Sequence, residues 1–308
     1  MDSPDSQPDT VHVSHPDTVT LTAFTLIVLL GGGNGVAIRF TVVELPPFWG
    51  AAVRFAAAAL CFWVILVARR LPLPTKRTAA GVLLYGVLDI GVSFACVYWG
   101  IQAIPVGFAS VILALAPLLT FFFAVAHRME AFRWRALMGA LFAVGGITLA
   151  FVEQPPTAVP LVSLFALIAG TACLAEATVI VKWLPSIHPV VVNALAMSAG
   201  AVLLMVFSLL AGEPWQSPTL AATWASLLYL VIFGSVILFY LFLYVVRCWT
   251  ASATSYLFVL FPFVTVVLAA WLLGETVTIV FVLGVVLALF GVWVGALAHQ
   301  KSNAAVQG

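Results

Sequence analysis

Four ionisable side chains lie inside long apolar runs of this 308-residue sequence: Arg39, Arg54, Asp89 and Glu176. A lone charge at the centre of a membrane helix costs about 2.5 to 3.5 kcal/mol on insertion scales, so such groups face a wet cavity or one another. Arg39 falls near the end of its run, where a long side chain can snorkel to the interface. Arg54 sits roughly two turns into its run and has no such escape. It either binds a carboxylate of a cargo or pairs with an internal acid. Asp89 and Glu176 are candidates to take up and release a proton as an internal cavity changes sides, with a permanent ion pair to Arg54 or a hydrogen bond to backbone as the alternative. Asn34, set among Gly31, Gly32, Gly33 and Gly35, offers a donor and an acceptor on a helix loosened by glycine, and its counterpart in the second half of the chain falls around Glu176. A site between the first, third, sixth and eighth helices follows. Tyr98, Tyr240 and Tyr256, with Tyr85, Trp99 and Tyr244, are candidates to line it, although packed or lipid-facing rings are the commoner fate.

Other chemistries find little support. Cys61, Cys96, Cys173 and Cys248 occur singly, and His12, His15, His127, His188 and His299 fall outside the helices without metal-ligand spacing, so neither disulfides, a metal nor another cofactor is expected. The net charge of +1 argues against a nucleic-acid partner. There is no HExxH, GxSxG or phosphate-binding loop, which leaves an intramembrane enzyme using Asp89 and Glu176 as a minor alternative and makes ATP irrelevant.

Residues of 64% hydrophobic and 7% charged type cannot surround a soluble core, so lipid is the expected solvent and partner for most of the chain. The apolar runs predict ten membrane helices near 20–42, 48–67, 79–100, 106–126, 136–152, 161–181, 190–211, 224–246, 254–273 and 278–296, of which the fifth is shortest. The polar start, 1–19, lacks a cleavable signal peptide and makes the first helix an expected signal anchor. With a cytoplasmic amino terminus, Arg69, Arg70, Lys76, Arg77, Arg128, Arg133, Arg135, Lys182, Arg247 and Lys301 all fall inside, whereas the outer loops hold no Lys or Arg. That is the positive-inside pattern, and a missed crossing would scramble it.

An internal repeat organises these helices. A shift of 145 positions superposes Ser110 on Ser255, Pro117 on Pro262, Glu130 on Glu275, Gly139 on Gly284 and Gly146 on Gly291. The expected fold is therefore an all-α integral membrane protein of ten helices in two five-helix repeats, 20–152 and 161–298, joined by the linker 153–160 and followed by a cytoplasmic tail, 299–308. Five is odd, so the repeats enter the membrane from opposite sides, and both termini are cytoplasmic. Inverted repeats of this kind underlie alternating access in secondary carriers. Pro117 and Pro262 are expected to kink the fourth and ninth helices. Gly139 and Gly146, like Gly284 and Gly291, share one helical face suited to close packing.

The sequence resembles the EamA-type carriers of the drug/metabolite transporter superfamily. The resemblance rests on 33–39 (GNGVAIR), Arg54-Phe55, 109–117 (ASVILALAP), Phe261-Pro262 and Leu273-Gly274-Glu275. One departure is Arg128-Met129-Glu130, where the family pattern places a glycine before the acid. The resemblance implies a ten-helix bundle around a central cavity and, frequently, export of amino acids or related metabolites from the cytoplasm. The sequence thus favours a secondary transporter of a small metabolite in the cytoplasmic membrane, exporting an amino acid or a relative. An uptake carrier for a vitamin or nucleotide-like compound is the alternative, and a channel is a third reading. Nothing in it specifies an oligomeric state.

Overall fold

The computed structural model describes residues 18–129, 132, 134–151, 160–249, 254 and 256–294. Among these, seven helices are long and apolar enough to cross a membrane: α1 (Thr18–Val42), α2 (Pro47–Ala68), α3 (Lys76–Ile101), α4 (Val106–Ala126), α6 (Leu161–Trp183), α7 (Pro189–Leu210) and α8 (Ala221–Cys248). Three further apolar helices, α5 (Trp134–Phe151), α9 (Tyr256–Leu273) and α10 (Ile279–Val292), complete the set. No strand occurs among the described residues. Most helix ends lie within about three residues of the hydropathy breaks, because a run of apolar side chains stops where the chain meets the headgroup layer. Glu130, Arg133, Ser255, Lys301 and residues 153–159 of the linker lie outside the described residues.

Polar groups sort to the two ends of the bundle. Arg69 and Arg70 follow α2, Lys76 and Arg77 open α3, Arg128 follows α4, and Lys182 and Arg247 stand in the last turns of α6 and α8. The Lys182 ammonium donates to the carbonyls of Val246 (2.9 Å) and Trp249 (3.0 Å), tying α6 to the end of α8 at this basic end. Glu44, Glu213 and Glu275 all lie at the opposite, acidic end, each bonded to the start of another helix.

Helices five apart in sequence pair directly: α2 packs along α7, and α5 along α10. Glycines make the second contact possible. A Cβ at Gly146 would lie 2.3 Å from the Ala288 nitrogen, and one at Gly291 would lie 2.4 Å from the Ala143 nitrogen and 2.5 Å from the Gly139 carbonyl oxygen. Gly284 meets Gly146 and Ala150 in the same way. Around these pairs, α1 packs on α8 and α9, while α6 packs on α3 and α4.

Two of the long helices widen locally to a π-helix, α3 at Val87–Ser93 and α8 at Ile232–Ile237. Their first residues are 145 apart, the same offset that superposes the proline and glycine pairs. Such widenings recur at functional sites because they displace side chains and leave carbonyls seeking other donors. The two prolines act differently. Pro117 stands in the first turn of the second piece of α4, Ala116–Ala126, after a break at Ala114 and Leu115, whereas Pro262 lies inside the continuous α9.

The departure at 128–130 has a local cause. Arg128 takes the left-handed conformation (φ 59°) that ends α4, and Gly274 (φ 67°) does so for α9. The Met129 amide bonds the Ala124 carbonyl at 2.8 Å, closing a Schellman-type end around Arg128. Met129 therefore needs no glycine-like backbone. Arg70 (φ 49°) and Gly212 (φ 65°) occupy the same place after α2 and α7.

Candidate functional site

A two-lobed cavity runs through the middle of the bundle. The lobe toward the acidic end, about 80 Å³, is lined by Ile38, Ser93, Val106 and Ser110; the other, about 60 Å³, is lined by Ile27, Asp89, Thr178 and Phe242. Asn34, Phe94, Leu174, Phe258 and Phe261 line both. Asp89 is the one charged side chain on either lobe among the described residues. It projects from the π-turn of α3, is 6% exposed, and has no ion-pair partner in the described structure.

Arg54 is fully buried but does not line either lobe. Its Nε donates to Ser235 Oγ (2.8 Å) and its Nη2 to the Gly234 carbonyl (2.8 Å), both in the π-turn of α8. Nη1 reaches Tyr98 Oη at 3.5 Å, and the guanidinium lies 4.7 Å and 5.0 Å from the ring centres of Phe55 and Phe94. Asn34 Nδ2 donates weakly, at 3.4 Å, to the same Gly234 carbonyl. A Cβ at Gly234 would sit 2.2 Å from Asn34 Oδ1, so any other residue there would push the Asn34 side chain from its present place. Neither internal acid pairs with Arg54. Its planar fork instead bolts α2 to α8, with Phe94 standing between the guanidinium and the cavity.

Arg54→Lys is accordingly expected to lose the two-pronged attachment although charge is kept. Each charge-assisted bond is worth about 1.5–3 kcal/mol, so a clear fall in the thermal midpoint of the purified protein should accompany the change, with Ser235→Ala causing part of it.

Glu176 lies elsewhere. Its Oε1 is 2.7 Å from His127 Nε2, which joins α6 to the end of α4, and it lines neither lobe. Its displacement reflects an alternative partner that sequence separation concealed. Tyr98 is buried against Arg54, and Tyr240, 37% exposed, is not a lining residue. Tyr256 belongs to the first turn of α9, and its side chain is outside the description. The proposed grouping of helices one, three, six and eight does surround the cavity through Asn34, Asp89, Leu174 and Leu238, but α9 adds Phe258, Phe261 and Thr265.

The acidic end is laced shut by carboxylates at helix starts. Glu213 accepts from the amides of Phe48 (3.1 Å) and Trp49 (2.7 Å) at the start of α2, and Glu275 from those of Val106 (2.6 Å) and Gly107 (3.0 Å) at the start of α4. Glu44 accepts from Thr219 and from the Leu220 amide before α8. Each satisfies amides that have no partner inside their own helix and places negative charge at the positive end of its dipole. Trp49 stacks on Trp215 with ring centres 5.4 Å apart, and Arg39 donates to the carbonyls of Ile101 and Gln102. These carboxylates were not read as caps in the sequence because each lies more than a hundred residues from the helix it serves.

The Thr219 hydroxyl, with further donors around it, holds the Glu44 carboxyl down to about 2. A depressed pKa means that the interaction is intact above the ordinary carboxyl range and is lost as pH falls toward 2. Acidification over that window should therefore raise hydrogen–deuterium exchange at the Thr219 and Leu220 amides. At neutral pH, Glu213→Ala should raise exchange at Phe48 and Trp49 by about tenfold, the loss of one good cap, while Val106 and Gly107 stay protected.

The described residues thus form a helical bundle with seven helices long and apolar enough to cross a membrane, a small central cavity and an acid on its wall. The EamA-like transporter family model matches residues 19–152 and 161–296, and the chain belongs to that family. It is 30% identical over 260 residues to the uncharacterized inner membrane transporter YedA of Escherichia coli K12, covering 83% of each. Identity is 23% to the uncharacterized transporter sll0355 of Synechocystis, over 96% of this chain and 94% of the relative, and 24% to the uncharacterized transporter YyaM of Bacillus subtilis, over 86% and 91%. A solved crystal structure shares the fold, with a TM-score of 0.67 at 17% identity over 92% of this chain and 99% of the other. Family and relatives indicate a transporter rather than an enzyme.

Proposed function

We propose that the protein is a secondary transporter of the cytoplasmic membrane that exports an amino acid or related amine-bearing metabolite in exchange for a proton. The observation that carries this reading is the carboxylate of Asp89, the one charge lining the cavity among the described residues. A single buried carboxylate is costly while ionised and unpaired, so it holds either a proton or a cationic group of a cargo. The aromatic and aliphatic walls suit an apolar body, and Asn34, Ser93 and Thr265 offer a few orienting contacts.

In this reading all ten helices cross the membrane as two inverted repeats, both termini are cytoplasmic, and the basic end faces inside. Cargo entering from the cytoplasm displaces the proton from Asp89. Rearrangement of the repeats opens the acidic end, and a proton from outside then displaces the cargo. Each cycle exchanges one cation for another, so an inward proton gradient drives export.

Expression in an exporter-deficient bacterial host challenged with toxic amino acids, analogues, dipeptides and amines tests this directly. Resistance together with extracellular accumulation of one compound, abolished by a protonophore, is expected. Protonophore-insensitive accumulation would remove the coupling, and uptake in place of efflux would reverse the direction.

A further inference from the structure

Unpartnered polar atoms lie on both sides of Asp89: Ser93 Oγ and Asn34 Oδ1 on the cavity wall, and two further groups off it. Toward the basic end, Tyr85 lies four residues before Asp89 on α3 and is 1% exposed, and Asn193 on α7 is fully buried. The Tyr85 hydroxyl faces the Asp89 carboxyl without closing a full hydrogen bond to it, and both polar atoms of the Asn193 amide have no protein hydrogen-bond partner. Buried polar atoms are almost always satisfied, and where protein supplies no partner the usual one is ordered water.

The two residues stand at one level. Gly86, next to Tyr85, is so close to α7 that a Cβ there would lie 2.3 Å from the Ala196 carbonyl oxygen, and Asn193 is one turn before Ala196. One turn farther toward the basic end, a vestibule of about 250 Å³ is lined by Leu184, Ser186, Val192 and Arg247. Val192 adjoins Asn193, and Leu184 touches α3 at Gly81, where a Cβ would lie 2.6 Å from its Cδ2. Tyr85 and Asn193 line neither the vestibule nor the cavity lobes, and by helix position they fall at the levels between them.

We propose that Tyr85 and Asn193 form a hydrated proton route from Asp89 to the vestibule at the basic end, separate from the path taken by the cargo. The inference rests on the exchange reading of Asp89. The Asp89 carboxyl gives its proton to a neighbouring water or to the Tyr85 oxygen, which passes on its own proton. Water held by the Asn193 amide carries the charge to the vestibule, leaving Asp89 ionised and Tyr85 neutral. Of the other charged groups on helices packed against α3, Arg54 is held by α8, Arg39 by the end of α3, Lys182 by the end of α8, and Glu176 by His127 through one oxygen, its buried Oε2 having no partner. Among the described residues α7 carries no ionisable side chain, so its amide is the polar group it contributes.

The test follows the Asp89 carboxyl itself and needs no cargo. Purified protein in liposomes is transferred to acidic D2O, and the protonated carboxyl band that Asp89→Asn removes is tracked by infrared spectroscopy as it shifts on deuteration. Tyr85→Phe and Asn193→Leu are expected to slow the shift by about a hundredfold, and Asn193→Ser to restore most of it, while Ser198→Ala on α7, whose hydroxyl is bonded to Trp63 and Ala194 off the route, leaves it unchanged. Circular dichroism and monodispersity identify a misfolded variant, in which case the other position decides. Unchanged exchange in folded Tyr85→Phe or Asn193→Leu protein, or equal slowing by Ser198→Ala, overturns the route. If Asp89→Asn removes no exchangeable band, the proton-exchange reading itself fails, which is a different result.

Discussion

Asp89→Asn should abolish transport driven by a pH gradient while leaving the protein folded. The side chain is nearly isosteric, stays polar, and replaces the one charge on the cavity wall among the described residues with a group that neither binds a proton nor attracts an ammonium. Proton-driven accumulation of the exported compound outside the cell is therefore expected to fall to background. Asp89→Glu keeps the charge but moves it one methylene into a lobe of about 60 Å³, so partial activity is expected. The thermal midpoint of the Asn variant should equal or exceed that of the parent, because removing an unpaired buried charge lifts a desolvation penalty. Wild-type export by Asp89→Asn would show that the acid is structural. Export that persists only as protonophore-insensitive leak would assign it to coupling.

The second large effect is structural. Gly86→Leu should prevent accumulation of folded protein, because the new Cβ would lie 2.3 Å from the Ala196 carbonyl oxygen and 2.5 Å from its Cα. Those atoms are backbone and cannot rotate away. Overpacking in a close-packed interior costs about 1–3 kcal/mol when side chains can adjust, and forcing two helices apart exceeds that. The strain falls at the start of the π-turn that carries Asp89, so any folded fraction should also have an altered cavity. Gly145→Leu is the control, since a Cβ there meets nothing within 4 Å. Expression level and size-exclusion profile in detergent separate the two variants. Equal yields would show that α3 and α7 can part without loss.

The cost of embedded charge brought Arg54, Asp89 and Glu176 to notice in the sequence, but similar hydropathy conceals three different situations. Asp89 is on a cavity wall, Arg54 holds the π-turn of α8 from behind Phe94, and Glu176 meets His127 at the end of α4. Tyr85 and Asn193 drew little or no notice because a tyrosine or an asparagine among apolar residues looks alike whether its polar atoms find partners or not. The carboxylate caps of Glu213 and Glu275 were equally hidden, since a cap is recognisable in sequence only when it is next to its own helix.

The sequence by itself determined that the chain is helical and membrane-embedded, where most helices begin and end, and that its halves share an offset of 145. These follow from local quantities, the run length of apolar side chains and the spacing of residues along one chain. Tertiary structure alone decided which charges meet, where helix α4 breaks relative to its proline, and that α3 and α8 each widen to a π-turn. The physical reason is that an embedded polar group takes the best partner within a few ångströms. That partner is set by helix packing over more than a hundred residues of intervening chain.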